Sequence, residues 1–203
     1  MLPIDIVKKI KENDVTAVKK WAESVSTVDT ETYKGVTPLC VALLGEHTEC
    51  AKILLEHGAS IYKVNEQLLS RQHDVCSTVF VMAAAFGSYA IVELLLKFNN
   101  NVNERNNHKK TALHYVCKNE NLKLAKLLLE HGADVNAQEL SKTTPLYYAI
   151  ENNNIEMIKL LFAYGANANL PFMDSVSYLQ MAVESNNIEI IKLLINHGGK
   201  LNV

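Results

Sequence analysis

Residues Thr111–Ala137, TALHYVCKNENLKLAKLLLEHGADVNA, form one copy of a unit that recurs along the chain. The copies open on Thr37, Thr78, Thr111, Thr144 and Ser177, and the last four openings are 33 residues apart. The first gap is 41 residues, the same period with an insertion of 8. One period before Thr37 lies Ile4, where a degenerate sixth copy begins. A fixed period of this size predicts a stack of supersecondary units, none of which buries its apolar face without neighbours.

Each copy encodes two short helices. In the Thr144 copy, Thr144 is placed to cap a helix and Pro145 occupies the first helical position, where a missing N–H is harmless. The first helix runs through Leu146, Ala149 and Ile150 and stops near Asn153. The second spans about 155–164, with Met157, Ile158, Leu160 and Leu161 inward and Glu156 and Lys159 outward. Gly165 ends it in a left-handed conformation, as Gly58, Gly132 and Gly198 do in sister copies, with Asn99 in the Thr78 copy. Two columns recur: Leu39, Phe80, Leu113, Leu146 and Leu179, and the smaller Ala42, Ala83, Val116, Ala149 and Ala182.

The stretches TPLCVALLGEHTECAKILLEHGAS from Thr37 and TPLYYAIENNNIEMIKLLFAYGANAN from Thr144 resemble ankyrin repeats, as does the Thr111 copy. The resemblance covers about residues 4–202. It implies an all-α solenoid of six helix-turn-helix repeats joined by hairpin-like fingers, in one domain over 1–203. Its copies fall at about 4–36, 37–77 with the insertion, 78–110, 111–143, 144–176 and 177–203. It also implies a role in binding other proteins.

Bulk properties are those of a globular chain: 48% apolar, 21% charged, net charge −2 and four prolines. There is no run of about 18 apolar residues, so no membrane span is expected. Only Arg71 and Arg105 are arginines among 20 basic residues, which argues against nucleic-acid reading. The N-terminal MLPIDIVKKIKEND has no apolar core of a secretory signal. The four cysteines form no CxxC pair; Cys50 and Cys117 fill slots that are aliphatic in sister copies and are expected to be buried thiols. A reducing, cytoplasmic setting is expected, with the nucleus or a host cytosol as alternatives.

Five of seven histidines belong to the repeat: His57, His131 and His197 before the terminal glycine, His114 in the opening motif, and His47 between helices. His73 and His108 fall outside it. Pairing Cys40 or Cys76 with His73 supplies no third orienting group, and His47-x-x-Cys50 lacks a second zinc-spaced pair. No catalytic residue, cofactor or metal is therefore expected. In ankyrin repeats that resemble this one, the asparagine at Asn103, Asn136, Asn169 and Asn202 braces the finger, and Asn136 best fits a hydroxylation motif.

The resemblance also implies a concave groove lined by fingers and inner helices. Groove residues that the repeat itself does not demand are the candidate partner contacts. In the first half these are Tyr33, Val36, Leu44, Val75, Phe86 and Tyr89, with Arg71 in the insertion at 65–76. Phe86 is unusual, because sister slots hold Gly45, Asn119, Asn152 and Ser185. It either anchors a partner or packs beneath the inserted finger. In the second half the candidates are His108, Lys110, Lys118 and Glu151, with Phe172 and Met173 at the last fingertip. The reading is a non-catalytic binding module; an IκB-like inhibitor or an effector that sequesters a host signalling protein is the alternative. The chain is expected to be a monomer. The last copy, rich in Ile190, Ile191, Leu193, Leu194 and Ile195, leaves a dimer contact as an alternative.

Overall fold

Threonine and serine begin the inner helices. Thr37, Thr78 and Ser177 each accept a hydrogen bond from the backbone N–H three residues on, at 3.1–3.3 Å. Thr111 does it differently: its N–H donates to His114 Nδ1 at 3.1 Å, while His114 Nε2–H donates to the Thr143 carbonyl at 3.3 Å. These bonds fix the His114 tautomer with the proton on Nε2. The helices are seen in a computed structural model that describes residues 3–30, 36–61, 78–98, 101–170 and 176–201.

Among the described residues there are twelve helices in six pairs. They are α1 Pro3–Lys11, α2 Val15–Ser24, α3 Pro38–Leu44, α4 Thr48–Glu56, α5 Val79–Phe86 and α6 Tyr89–Phe98. There follow α7 Ala112–Lys118, α8 Leu122–Glu130, α9 Pro145–Glu151, α10 Ile155–Ala163, α11 Tyr178–Glu184 and α12 Ile188–Asn196. Contacts group the chain into two units, residues 1–106 and 107–203. In the first, α1, α3 and α5 form one row and α2, α4 and α6 a second packed on it. In the other unit α7, α9 and α11 form one row and α8, α10 and α12 a second.

A short turn separates the helices of a pair, and the same slot of each turn is left-handed. It holds Asn13, Glu46, Gly87, Glu120, Asn153 and Asn186, with φ between 53° and 79°. Glu46 and Glu120 adopt it against the cost an L-residue incurs there. Outer helices then start on their own caps: Asp14, Asn121, Asn154 and Asn187 accept from the N–H three residues on. The opposite end is closed by Gly58, Gly132, Gly165 and Gly198, all at φ 79–84°, and adding a Cβ there meets backbone strain rather than a clash.

Both predicted columns are buried in all five copies from Thr37 onward. Trp21 fills the slot of Leu54, Leu95, Leu128, Leu161 and Leu194, all core residues. In the Thr144 copy the inward set differs in one place: Leu160 is partly exposed, and Phe162 is buried instead. The ring of His197, from the next copy, lies parallel to Phe162 at 4.0 Å and closes that slot.

Candidate functional site

In the first unit, α5 runs one residue longer than α3, α7, α9 and α11, so Phe86 is its last helical residue and Gly87 takes the cap. Phe86 is consequently 50% exposed, and Leu44, at the end of α3, is 46% exposed. They meet in a cleft of about 200 Å³ whose apolar wall includes Leu43, Met82 and Ile91, with Glu46 as its one charged lining residue. Two of the sequence-derived partner residues are thus brought together. Tyr89, the first residue of α6, is half-buried. Val36 lies before the cap of α3, at the end away from Leu44. Tyr33, Arg71 and Val75 lie outside the described residues, as do the rest of the inserted segment, Phe172 and Met173.

The second unit offers a polar counterpart. Lys118 and Glu151 occupy the slot that Leu44 holds, and both are exposed. Tyr147 donates to Glu151 Oε1 at 3.0 Å, and burial together with that carboxylate pushes the Tyr147 phenol up to about 12. Exposed His108 accepts at its carbonyl from Leu140 N–H at 3.1 Å. Leu140 is itself 57% exposed on the finger. The sequence reading missed Leu140, although it shares a repeat slot with Tyr33 and Met173 and this signal was available.

Lys110 is turned into its own unit. Its Nζ lies 3.5 Å from Glu139 Oε2 and 5.8 Å from the ring centroids of both Tyr115 and Tyr148. Glu139 Oε1 also accepts from the Tyr148 hydroxyl at 3.0 Å and from Thr143 Oγ1. Burial, and then the Glu139 carboxylate, push the Tyr148 phenol up. This network stitches the base of two fingers to α9.

Asn136 ties its finger to the next copy. Its Nδ2 donates to the Gly165 carbonyl at 3.0 Å, and its Oδ1 accepts from Asn167 N–H at 2.8 Å. Asn169 repeats the pattern with the Gly198 carbonyl at 2.8 Å and Lys200 N–H at 2.9 Å. In the first copy Asp29 holds this slot and accepts from Ser60 N–H at 2.8 Å, a carboxylate having no proton to donate. Asn136→Ala is expected to cost about 1–2 kcal/mol, and Asn136→Asp roughly half as much, by urea midpoint. Equal costs would show that the accepted bond contributes nothing.

The remaining candidate chemistry is accounted for locally. His57, His131 and His197 each donate from Nδ1 to the carbonyl four residues earlier, at 2.8–2.9 Å. Cys40, Cys50 and Cys117 are buried thiols, and burial pushes them up, away from a reactive thiolate. Among the described residues no three potential ligands converge on a metal-sized site, and no helix is long and apolar enough to cross a membrane. Cys76 and His73 lie outside the described residues.

Comparison with known proteins agrees with this geometry. A family model described as ankyrin repeats in three copies matches residues 62–139 and 134–203, and the single ankyrin repeat matches 34–66. Alpha-latrotoxin-Lg1a of Latrodectus geometricus is 32% identical over 95 residues, 45% of this chain but only 6% of the toxin. The chain therefore spans a small fraction of that relative's length. An ankyrin repeat domain from Acinetobacter baumannii AYE superposes with a TM-score of 0.85 at 24% identity, covering 97% of this chain and 98% of that one. The ankyrin repeat domain of Bcl-3, a member of the IκB protein family, gives 0.84 at 24% identity, covering 98% and 87%. At that identity the two structures speak for the fold, an all-α ankyrin-repeat solenoid. Ankyrin repeats generally mediate protein–protein interaction and generally carry no catalysis. With matches running from residue 34 to the end of the sequence, the chain belongs to the ankyrin repeat family.

Proposed function

We propose that the protein is a non-catalytic interaction module that docks a partner protein on the apolar cleft of its first unit. The observation that carries this reading is the exposure of Leu44 and Phe86 side by side over an apolar floor. Half-exposed large side chains in one concave patch are unfavourable in water and favourable once a partner covers them. Phe86 also stands where sister copies hold glycine, asparagine or serine, so the repeat itself does not require it. His108, Leu140, Lys118 and Glu151 give the second unit a mixed, polar surface on which contacts add specificity. Lys110 is left out of this set, because Glu139 and two rings already engage its ammonium.

A sequestering inhibitor of the IκB kind is one form such a module takes, and the partner's identity decides it. The burial of Cys40, Cys50 and Cys117 as thiols is compatible with a reducing cytoplasm. The test compares proteins retained from native lysate by the wild type and by a Leu44→Ser/Phe86→Ser variant. Covering the exposed half of two such side chains is worth roughly 0.8–1.5 kcal/mol each, so the variant is expected to lose about 10- to 100-fold in affinity. Its thermal midpoint should fall by only several degrees, because both residues are already half in water. Partners retained equally by both proteins would rule out the cleft.

A further inference from the structure

Two fingertips of the second unit carry a lysine in a conformation that suits glycine. Lys109 and Lys142, each two residues before an opening threonine, are left-handed at φ 60° and 62°. The copy that opens on Thr37 spells Gly35 at that slot, the residue type with no side chain to crowd the left-handed turn. The turn at Lys142 is held by backbone groups and a neighbour, without its ammonium. Lys142 N–H donates to the Glu139 carbonyl at 3.0 Å, and Glu139 N–H to the Thr143 carbonyl at 3.1 Å. Gln138 Nε2 donates to the Lys142 carbonyl at 3.0 Å. Both lysines are exposed, and among the described residues neither ammonium forms an ion pair. Backbone strain of this kind persists where the side chain has a use. Leu140 N–H donates to the His108 carbonyl at 3.1 Å, which sets one fingertip against the next, and the Leu140 side chain is 57% exposed. The carboxylates nearest in sequence are engaged elsewhere. Glu139 is turned inward onto Lys110 at 3.5 Å, and Asp134 accepts from Asn136 N–H at 3.0 Å.

We propose that these paired fingertips receive an acidic segment of a partner protein. An apolar side chain of that segment covers Leu140, and carboxylates on either side of it face Lys109 and Lys142. The sign of the partner follows from charge complementarity, since the tip presents two ammonium groups and no exposed carboxylate of its own turn. Its class follows from Leu140, which gains from an apolar neighbour that a phosphate strand does not offer. The second unit also holds no arginine for bidentate contacts to bases. It carries nine lysines against nine acidic residues, so the positive tip is local and gives no long-range pull toward a polyanion. Exposed ion pairs are individually weak, so the site orients a partner more than it holds one. Joined to a second contact on the same partner, it multiplies affinity through effective concentration. The proposal shares the reading of the chain as an interaction module and uses no residue of the Leu44–Phe86 cleft.

The probe is a glycine-flanked peptide, EELEE, titrated to about 5 mM into the isotope-labelled full chain at low salt and followed by amide NMR. Shifts are expected at residues 108–109 and 140–142, with a dissociation constant of about 1 mM. The peptides QQLQQ and EEGEE should each bind about 3- to 10-fold more weakly. Lys109→Gly/Lys142→Gly should lose affinity for EELEE by the same factor and melt no lower than the wild type, because glycine suits the left-handed slot. A lower midpoint would make the lysines structural and overturn the proposal. Lys109→Glu/Lys142→Glu is expected to prefer the peptide KKLKK over EELEE. Absence of shifts at these amides with EELEE overturns the proposal, as does a glutamate variant that still prefers EELEE. An oligothymidylate of about ten nucleotides that shifts the same amides at about tenfold lower concentration would mark a general polyanion site and overturn the acidic-segment reading. The Leu44→Ser/Phe86→Ser variant should bind EELEE as the wild type does, so the cleft and the fingertips fail separately.

Discussion

Leu128→Ala is expected to lower stability by about 2–5 kcal/mol, read as a drop in the urea midpoint. Leu128 is 0% exposed and stands on α8 between α7 and α10. Deleting its isobutyl group removes apolar burial and leaves a cavity that its neighbours fill only in part, which is why the cost exceeds simple transfer. In a stacked array each layer is held by nearest-neighbour contacts, so the damage is not confined to α8. Hydrogen exchange should show lost protection in α7, α8, α9 and α10. Leu161→Ala, in the same slot one copy on, should behave alike. A Leu128→Ala protein with unchanged midpoint and unchanged exchange would contradict the assigned register.

Glu139→Leu is the second large effect expected. The side chains of Lys110 and Glu139 are 11% and 8% exposed, so the pair sits out of water. Removing the carboxylate takes the Glu139 charge away from an ammonium lying 5.8 Å from two ring centroids, and strips an acceptor from the Tyr148 and Thr143 hydroxyls. Breaking one half of such a pair costs about 3–5 kcal/mol, with the lower figure expected because the lysine chain can extend toward solvent. Glu139→Gln keeps an acceptor for both hydroxyls and should cost less, about 1–2 kcal/mol. Lys110→Met/Glu139→Leu should recover much of the loss, since a buried pair replaced by apolar groups is often close to neutral. The double-mutant cycle measures the coupling. Additive single and double costs would mean that the two charges do not interact.

The fold was legible because its information is periodic. Threonine openings, the leucine column and the terminal glycines recur in register, and each has one structural meaning. Less legible was anything depending on a bond across copies. Lys110 reads as a free groove cation until Glu139, from the next finger, is brought beside it. The helical spacing leaves Phe162 out of the inward set, and it is His197 of the following copy that stacks on it. The asparagine caps of the outer helices and the left-handed slot held by Glu46 and Glu120 carry too little local signal, since glutamate is a poor resident of that conformation. Of the candidate surface, Leu44 and Phe86 stood out as departures from the repeat pattern. Leu140 has the slot of Tyr33 and Met173, and its apolar side chain there carries the same signal.

The asparagine braces bear on how such a chain lengthens or shortens over evolutionary time. Asn136 and Asn169 reach forward to the same two backbone groups, a glycine carbonyl and the N–H two residues past it. Duplicating or excising a whole module gives each asparagine a new but identical pair of backbone targets. A cut inside a module leaves one of them reaching for nothing. A change of length by one whole period therefore leaves both braces satisfied, whereas a partial one breaks them.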